Sequence, residues 1–394
     1  MEIVRYLQRP HDPEGYLGGD ENDKQVQLYL LDRSFLLETG LNVNILVCGE
    51  APLLHIVLEM GDLAVVDLFL SRGADPNMVD EYGLNSLHRA STSQTEGVVE
   101  LLIRTGADIH HTNKFGETPL HTFAAIGYET GVRLLLSNGA RVNAADADGF
   151  TPLHEAARGH PEVAELLLSH DAHVNAVDDC GMTPLIYAAA QFSSNDPTSK
   201  IERRVGRVIE VLVEHGADVN AVDSYNRAAL HCLACKGRER SAELLIANGA
   251  DVTLADSRGW TPLHYAAGTA TPAGRPPVVG LLLQHGAQIE ARDKEGKTPL
   301  ISEGVVKWLL RYGADVHCVN RFGRTPLYGL ANAGLKTEVE LLLARGAEVD
   351  LADKNGDTPL HEASKGQPEI VELLLRDLTV LLFLRISGAD GKTY

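Results

Sequence analysis

The sequence predicts an all-α repeat solenoid, on three observations. First, Thr118-Pro119-Leu120-His121 returns as Thr151-Pro152-Leu153-His154, Thr261-Pro262-Leu263-His264 and Thr358-Pro359-Leu360-His361. Second, weaker copies start at Pro52, Asn85, Thr183, Ala228, Thr298 and Thr325, making ten, most of them 32 or 33 residues apart. A fixed period of that size marks a stack of supersecondary units. Third, no unit of this length can bury its own apolar faces, whereas stacked units bury one another's.

Each unit has the same grammar. The leading Thr is a helix N-cap, and Pro suits the first helical position because the N–H it lacks has no partner there. Small residues such as Ala156-Ala157 and Ala266-Ala267 follow and allow a short first helix to pack closely. After a turn comes an apolar stripe such as Glu162–Leu168, read as the second helix. Gly139, Gly216, Gly249, Gly286, Gly313 and Gly346 then fit a left-handed C-cap. A polar stretch such as Asp218–Asn226 leads on to the next unit.

The stretch Asp148–Asp178 resembles an ankyrin repeat almost letter for letter, and the resemblance holds over about residues 45–376. It implies paired antiparallel helices, β-hairpin-like fingers projecting at right angles, and protein binding on the concave face formed by fingers and first helices. Residues 1–44 are then degenerate half-units acting as a cap, and 377–394 an apolar tail.

Three departures from the period carry structural expectations. Extra residues at 191–204 should form a protruding polar loop. An insertion at 269–277 holds prolines that cannot continue a helix. The shortened repeat 298–324 keeps only a stub of first helix, and Trp308, at the position of Leu166, is expected to be buried in the gap. At the end, the run from Leu378 to Ile386 should extend or fold back on the last second helix, or drive self-association.

Composition narrows the function classes. A net charge of −19 argues against wrapping nucleic acid or an anionic membrane. Five scattered cysteines suit a reducing, intracellular setting, cytoplasmic or nuclear, rather than a disulfide framework. The N-terminus turns polar after one short amphipathic run, unlike a secretory signal, and the apolar run at 378–384 is too short to span a bilayer. Cys232 and Cys235 have redox or zinc spacing, but on a first helix with no second ligand pair. The His-Glu pair at 154–155 has Arg158 where a zinc helix needs its second His. Gly-Lys-Thr at 296–298 and 391–393 lacks the earlier glycine of a phosphate loop. Histidines 55, 88, 121, 154, 231, 264 and 361 share one position in the unit and are read as local hydrogen-bonding groups. The recurring Asn77, Asn143, Asn175 and Asn220 resemble asparagines hydroxylated in some ankyrin arrays, with turn stabilisation as the plainer reading. The expectation is a non-enzymatic interaction module or scaffold with no catalytic, cofactor-binding or metal residues and no cofactor. A recruiting subunit of a larger complex, such as a ubiquitin-ligase adaptor or signalling regulator, is the alternative. A metal or redox protein using Cys232 and Cys235 is the remote one.

Positions that vary between units point to a partner surface. At offsets −4, −3 and −1 from the leading residue stand Phe150, Tyr225, Trp260 and Phe322, and Tyr187 and Tyr265 share an offset on first helices. In repeats six to ten these finger positions carry Arg227, Arg258, Lys294, Lys297, Arg321, Arg324 and Lys354 against Glu295 and Asp357, a surplus of five positive charges. Repeats one to five carry Glu81, Glu117, Asp148 and Asp179 against Lys114, a surplus of three negative. The expected partner is a protein with an acidic segment. The expected contacts are Phe150, Tyr187, Tyr225, Arg227, Arg258, Trp260, Tyr265, Lys297, Arg321, Phe322 and Arg324.

Overall fold

The computed structural model describes residues 42–47, 51–93, 97–191, 200–268, 276–301 and 305–389. The chain divides into two compact units, Met1–Asp179 and Cys180–Tyr394.

Each repeat begins as its chemistry dictates. Thr151 is extended (φ −105°, ψ 164°), Pro152 opens the helix, and His154 closes a capping box. The Thr151 N–H donates to His154 Nδ1 at 3.1 Å. In the preceding repeat Thr118 N–H does the same to His121 Nδ1 at 3.1 Å, and His121 Nε2 donates to Phe150 O of the next repeat at 3.0 Å. The repeated histidine thus caps its own helix and ties it to the following unit.

In the first unit β1 (Leu46–Val47) pairs antiparallel with β2 (Ala51–Pro52). Four helix pairs follow: α1 (Leu53–Met60) with α2 (Leu63–Ser71), α3 (Ser86–Ser93) with α4 (Val98–Arg104), α5 (Pro119–Ile126) with α6 (Glu129–Ser137), and α7 (Pro152–Ala156) with α8 (Pro161–Leu168). First helices stack in the order α1, α3, α5, α7, and second helices in the order α2, α4, α6, α8. Five to nine residues are too few for helices stable by themselves. Their stability comes from the core between the rows, where Leu53, Phe69, Leu87, Leu102, Phe123, Leu135, Leu153 and Leu167 are fully buried.

The second unit repeats the plan. First helices are α9 (Pro184–Ala190), α11 (Ala229–Lys236), α13 (Pro262–Ala267), a 3-10 turn (Pro299–Ile301), α16 (Pro326–Ala333) and α18 (Pro359–Ala363). Second helices are α10 (Lys200–Glu214), α12 (Glu239–Ala247), α14 (Pro276–Gln284), α15 (Val306–Arg311), α17 (Lys336–Leu343) and α19 (Pro368–Ala389). Each row packs in sequence order.

The six predicted C-cap glycines all have φ between 82° and 90°. Asp171 fills that place in the fourth repeat at φ 63°. The asparagines are staples between repeats. Asn220 Nδ2 donates to Gly249 O at 2.9 Å while Asn220 Oδ1 accepts from Asp251 N at 2.8 Å, and Asn77 and Asn143 bridge likewise.

Several local expectations need correction. The insertion at 191–204 is not all loop: α10 begins at Lys200 and runs for 15 residues, and 192–199 lie outside the described residues. The prolines of the 269–277 insertion do not continue a helix, as expected: Pro276 and Pro277 instead open α14, where no N–H is needed, and 269–275 lie outside the described residues. Trp308 is not buried but 36% exposed. Leu309 and Leu310, with Val305 and Val306, are the buried residues of that segment, and the indole stands outside that set. At the C-terminus α19 continues the last second helix to Ala389. Among the described residues no helix is long and apolar enough to cross a membrane.

Candidate functional site

The fingers are built around one aspartate each. In the seventh repeat Asp256 Oδ1 accepts from the N–H groups of Arg258 and Trp260, both at 2.8 Å, and Gly259 N–H donates to Asp256 O at 2.9 Å. Asp223, Asp293 and Asp353 do the same in their repeats, and Asn320 takes the place in the ninth. These tight turns carry no strand ladder; one backbone bond joins each to the next, as from Lys294 N–H to Arg258 O at 2.9 Å. Gly259 (φ 84°) is needed because a Cβ there would meet Lys294 N at 2.9 Å.

The second unit brings most of the expected contact residues into one row. Tyr225 is exposed, and the Arg227 guanidinium lies 5.2 Å from its ring centroid. Arg227 also pairs with buried Asp223 at 2.7 Å. Arg258 stacks over Trp260 at 4.6 Å and donates to Tyr265 Oη at 3.1 Å. Tyr265 Oη donates to Asp256 Oδ2 at 2.9 Å, and Trp260 Nε1 donates to Asp293 Oδ2 at 3.0 Å. Arg321 and Arg324 both lie over Phe322, at 4.7 and 5.6 Å. Lys297 pairs with Glu295 at 2.9 Å. Tyr187 is half-buried on α9, and Cys232 stands on α11 at the equivalent place. Phe150 is the exception: it belongs to the first unit, half-buried, its ring 5.3 Å from that of His154.

This geometry revises the charge reading. The finger positions in the sequence omit the turn aspartates one place earlier, Asp223, Asp256, Asp293 and Asp353. Seven bases then face six carboxylates, and the surplus falls to one. Burial pushes the Asp256 carboxyl up, but its bonds from Trp260 N–H, Tyr265 Oη and Arg258 outweigh that and hold it below the usual range. The row is therefore an alternation of aromatic rings and guanidinium groups, with Arg227, Arg258 and Arg324 paired to buried aspartates and Arg321 to the part-exposed Glu295. Among the described residues Lys294 and Lys354 have no carboxylate partner, while Arg258 and Arg321 remain more than half exposed.

Tyr328 also belongs to the row and was missed. It stands where other repeats have the capping histidine, and its Oη donates to Glu362 Oε1 at 2.6 Å while Arg324 lies 4.8 Å from its ring. The available signal was Thr-Pro-Leu-Tyr in place of Thr-Pro-Leu-His. Burial pushes the Cys232 thiol up to about 11, which suppresses the thiolate that redox or metal chemistry requires.

The family model described as ankyrin repeats (3 copies) matches residues 26–113, 87–178, 174–256, 242–302 and 300–381. Among curated proteins, the 2-5A-dependent ribonuclease of Mus musculus is 51% identical over 47 residues, which is 12% of this chain and 6% of that protein. The chain therefore spans only a small fraction of that relative. Among solved structures, the crystal structure of the ankyrin repeat domain of Bcl-3, a member of the IkappaB protein family, is 28% identical. It covers 59% of this chain and 97% of that one, with a TM-score of 0.47. With the capping box, the left-handed C-caps and the family match running almost end to end, the chain belongs to the ankyrin repeat family.

Proposed function

We propose that this ankyrin repeat protein is a non-enzymatic interaction module whose second unit binds a protein partner along its fingers and first helices. Ankyrin repeats mediate protein–protein interaction in general. The observation that carries the choice of surface is the row Tyr225–Arg227, Arg258–Trp260–Tyr265 and Arg321–Phe322–Arg324, in which Tyr225, Trp260 and Phe322 each have a guanidinium over the ring and Tyr265 accepts from Arg258 through its hydroxyl. Tyr, Trp and Arg are the residues that dominate binding energy at interfaces, and rings already held in place lose little freedom on docking. An acidic segment fits the outward N–H edges of Arg258 and Arg321 with Lys294 and Lys354, all exposed. Cytoplasmic or nuclear residence and a role as scaffold or adaptor go with this reading.

The experiment is affinity capture with wild-type protein, followed by kinetics on the recovered partner. Arg321→Glu with Arg324→Glu should slow association and flatten its salt dependence. Trp260→Ala should speed dissociation, at a cost of about 2 kcal/mol in binding. Unchanged rates in both variants would move the site elsewhere.

A further inference from the structure

The second-helix side of the second unit carries a groove that the finger surface does not use. It crosses three consecutive second helices and is lined by Glu239 and Glu243 of α12, Pro276, Pro277, Gly280, Leu281 and Gln284 of α14, and Trp308 of α15. Its volume is about 270 Å³. That is smaller than typical small-molecule sites and suits one long side chain.

The sequence explains the opening. Gly280 lies six residues before its C-cap glycine, a position where the flanking second helices carry Glu243 and Lys307. Without a side chain there, the surface dips between them. A Cβ at Gly280 would stand 3.3 Å from the hydroxyl of Tyr312, so the notch is narrow there. Trp308 replaces the leucine that most second helices carry at its position, and it turns part of its ring outward. Glu239 and Glu243 are one helical turn apart on the same face, with no ion-pair partner among the described residues. The groove therefore has an apolar floor, an aromatic wall and an acidic lip.

We infer that this groove docks an arginine side chain from an extended segment of a partner protein. The aliphatic stem would lie on Pro276, Pro277 and Leu281, and the guanidinium would meet the Trp308 ring and the two carboxylates. Guanidinium suits both partners, because its plane stacks on indole and its N–H fork matches carboxylates. The ring already accepts such a group within the chain, since the Arg311 guanidinium lies 5.3 Å from its centroid. This surface is independent of the finger row and stands or falls separately.

The test uses the full chain labelled with ¹⁵N at its two tryptophans, Trp260 and Trp308, the indole signals being assigned with Trp308→Leu. The probe is the peptide acetyl-Gly-Ser-Arg-Ser-Gly-amide, beside the same peptide with citrulline in place of arginine. The expected result is a saturable shift of the Trp308 indole signal with the Trp260 signal unmoved. Affinity should fall about tenfold with citrulline and in Glu239→Gln with Glu243→Gln. Glu100→Gln with Glu162→Gln, a charge-matched change in the first unit, should leave it unchanged. Four results overturn the inference: no shift at Trp308, equal binding of the citrulline peptide, equal weakening by the two glutamine pairs, or a Trp308 signal that moves with protein concentration alone. The last would mean that a second copy of the chain covers the groove. Movement of Trp260 alone would instead place the arginine on the fingers.

Discussion

Lowering the pH from 7 to 5 should destabilise the first unit through its buried histidines, of which His121 caps its helix while His55 makes no side-chain hydrogen bond. In the Thr-led repeats the ring's Nδ1 accepts the N-cap N–H, so Nε2 carries the proton and donates to the next repeat; a second proton on Nδ1 removes the acceptor. Burial holds His55 and His88 down at about 4, and it lowers His121 as well. The unfolded chain takes up these protons first, near pH 6.5, so stability is full above that value and falls as the pH drops toward 4. For a group shifted from 6.5 to about 4, linkage gives a loss of about 2 kcal/mol by pH 5, or about 4 kcal/mol for His55 and His88 together. Carboxylates do not produce this fall. Arg89 and backbone N–H groups outweigh burial and hold Asp80 below its usual range, so its contribution is lost only at lower pH. Burial raises Glu155, which works in the opposite direction. Urea titrations followed by far-UV circular dichroism at the two pH values should show unfolding moving down by about 1 M or more. His88→Gln should be less stable at pH 7 and lose part of the pH dependence. A transition that stays in place, or rises, between pH 7 and 5 would refute the reasoning.

Other perturbations separate local causes. Gly259→Ala should cost about 2–3 kcal/mol in thermal or urea unfolding, because its Cβ would meet backbone of the next finger. Gly286→Ala, equally left-handed but with nothing within 4 Å, should cost only about 1 kcal/mol. Trp308→Leu should change stability by less than about 1 kcal/mol, since the indole is partly exposed and leucine is the residue of sister repeats. Asn220→Ala should cost about 1 kcal/mol and raise amide exchange at Asp251, whose N–H loses its acceptor.

The repeat class was legible from sequence because each rule behind it is local. The Thr-Pro start, the left-handed glycine and the apolar stripe act within one repeat and recur, so each copy checks the others. The aromatic and basic finger residues were visible for the opposite reason: against that recurring frame they are the positions that vary. What the sequence could not show was which groups lie against them. Arg227, Arg258 and Arg324 look like free positive charge until the fold sets Asp223, Asp256 and Asp353 beside them. Tyr328 looks like a broken capping motif until Glu362 of the next repeat reaches its hydroxyl. Trp308 looks like a core residue by position, yet the core is filled by Leu309 and Leu310, and the missing side chain of Gly280 on the neighbouring helix makes it the wall of a groove. Local sequence determines where a helix starts and stops. The Arg227–Asp223 and Arg258–Asp256 pairs are made within one tight turn. The Arg324–Asp353 and Tyr328–Glu362 contacts and the Gly280–Trp308 groove join neighbours about thirty residues apart, and only stacking brings those together.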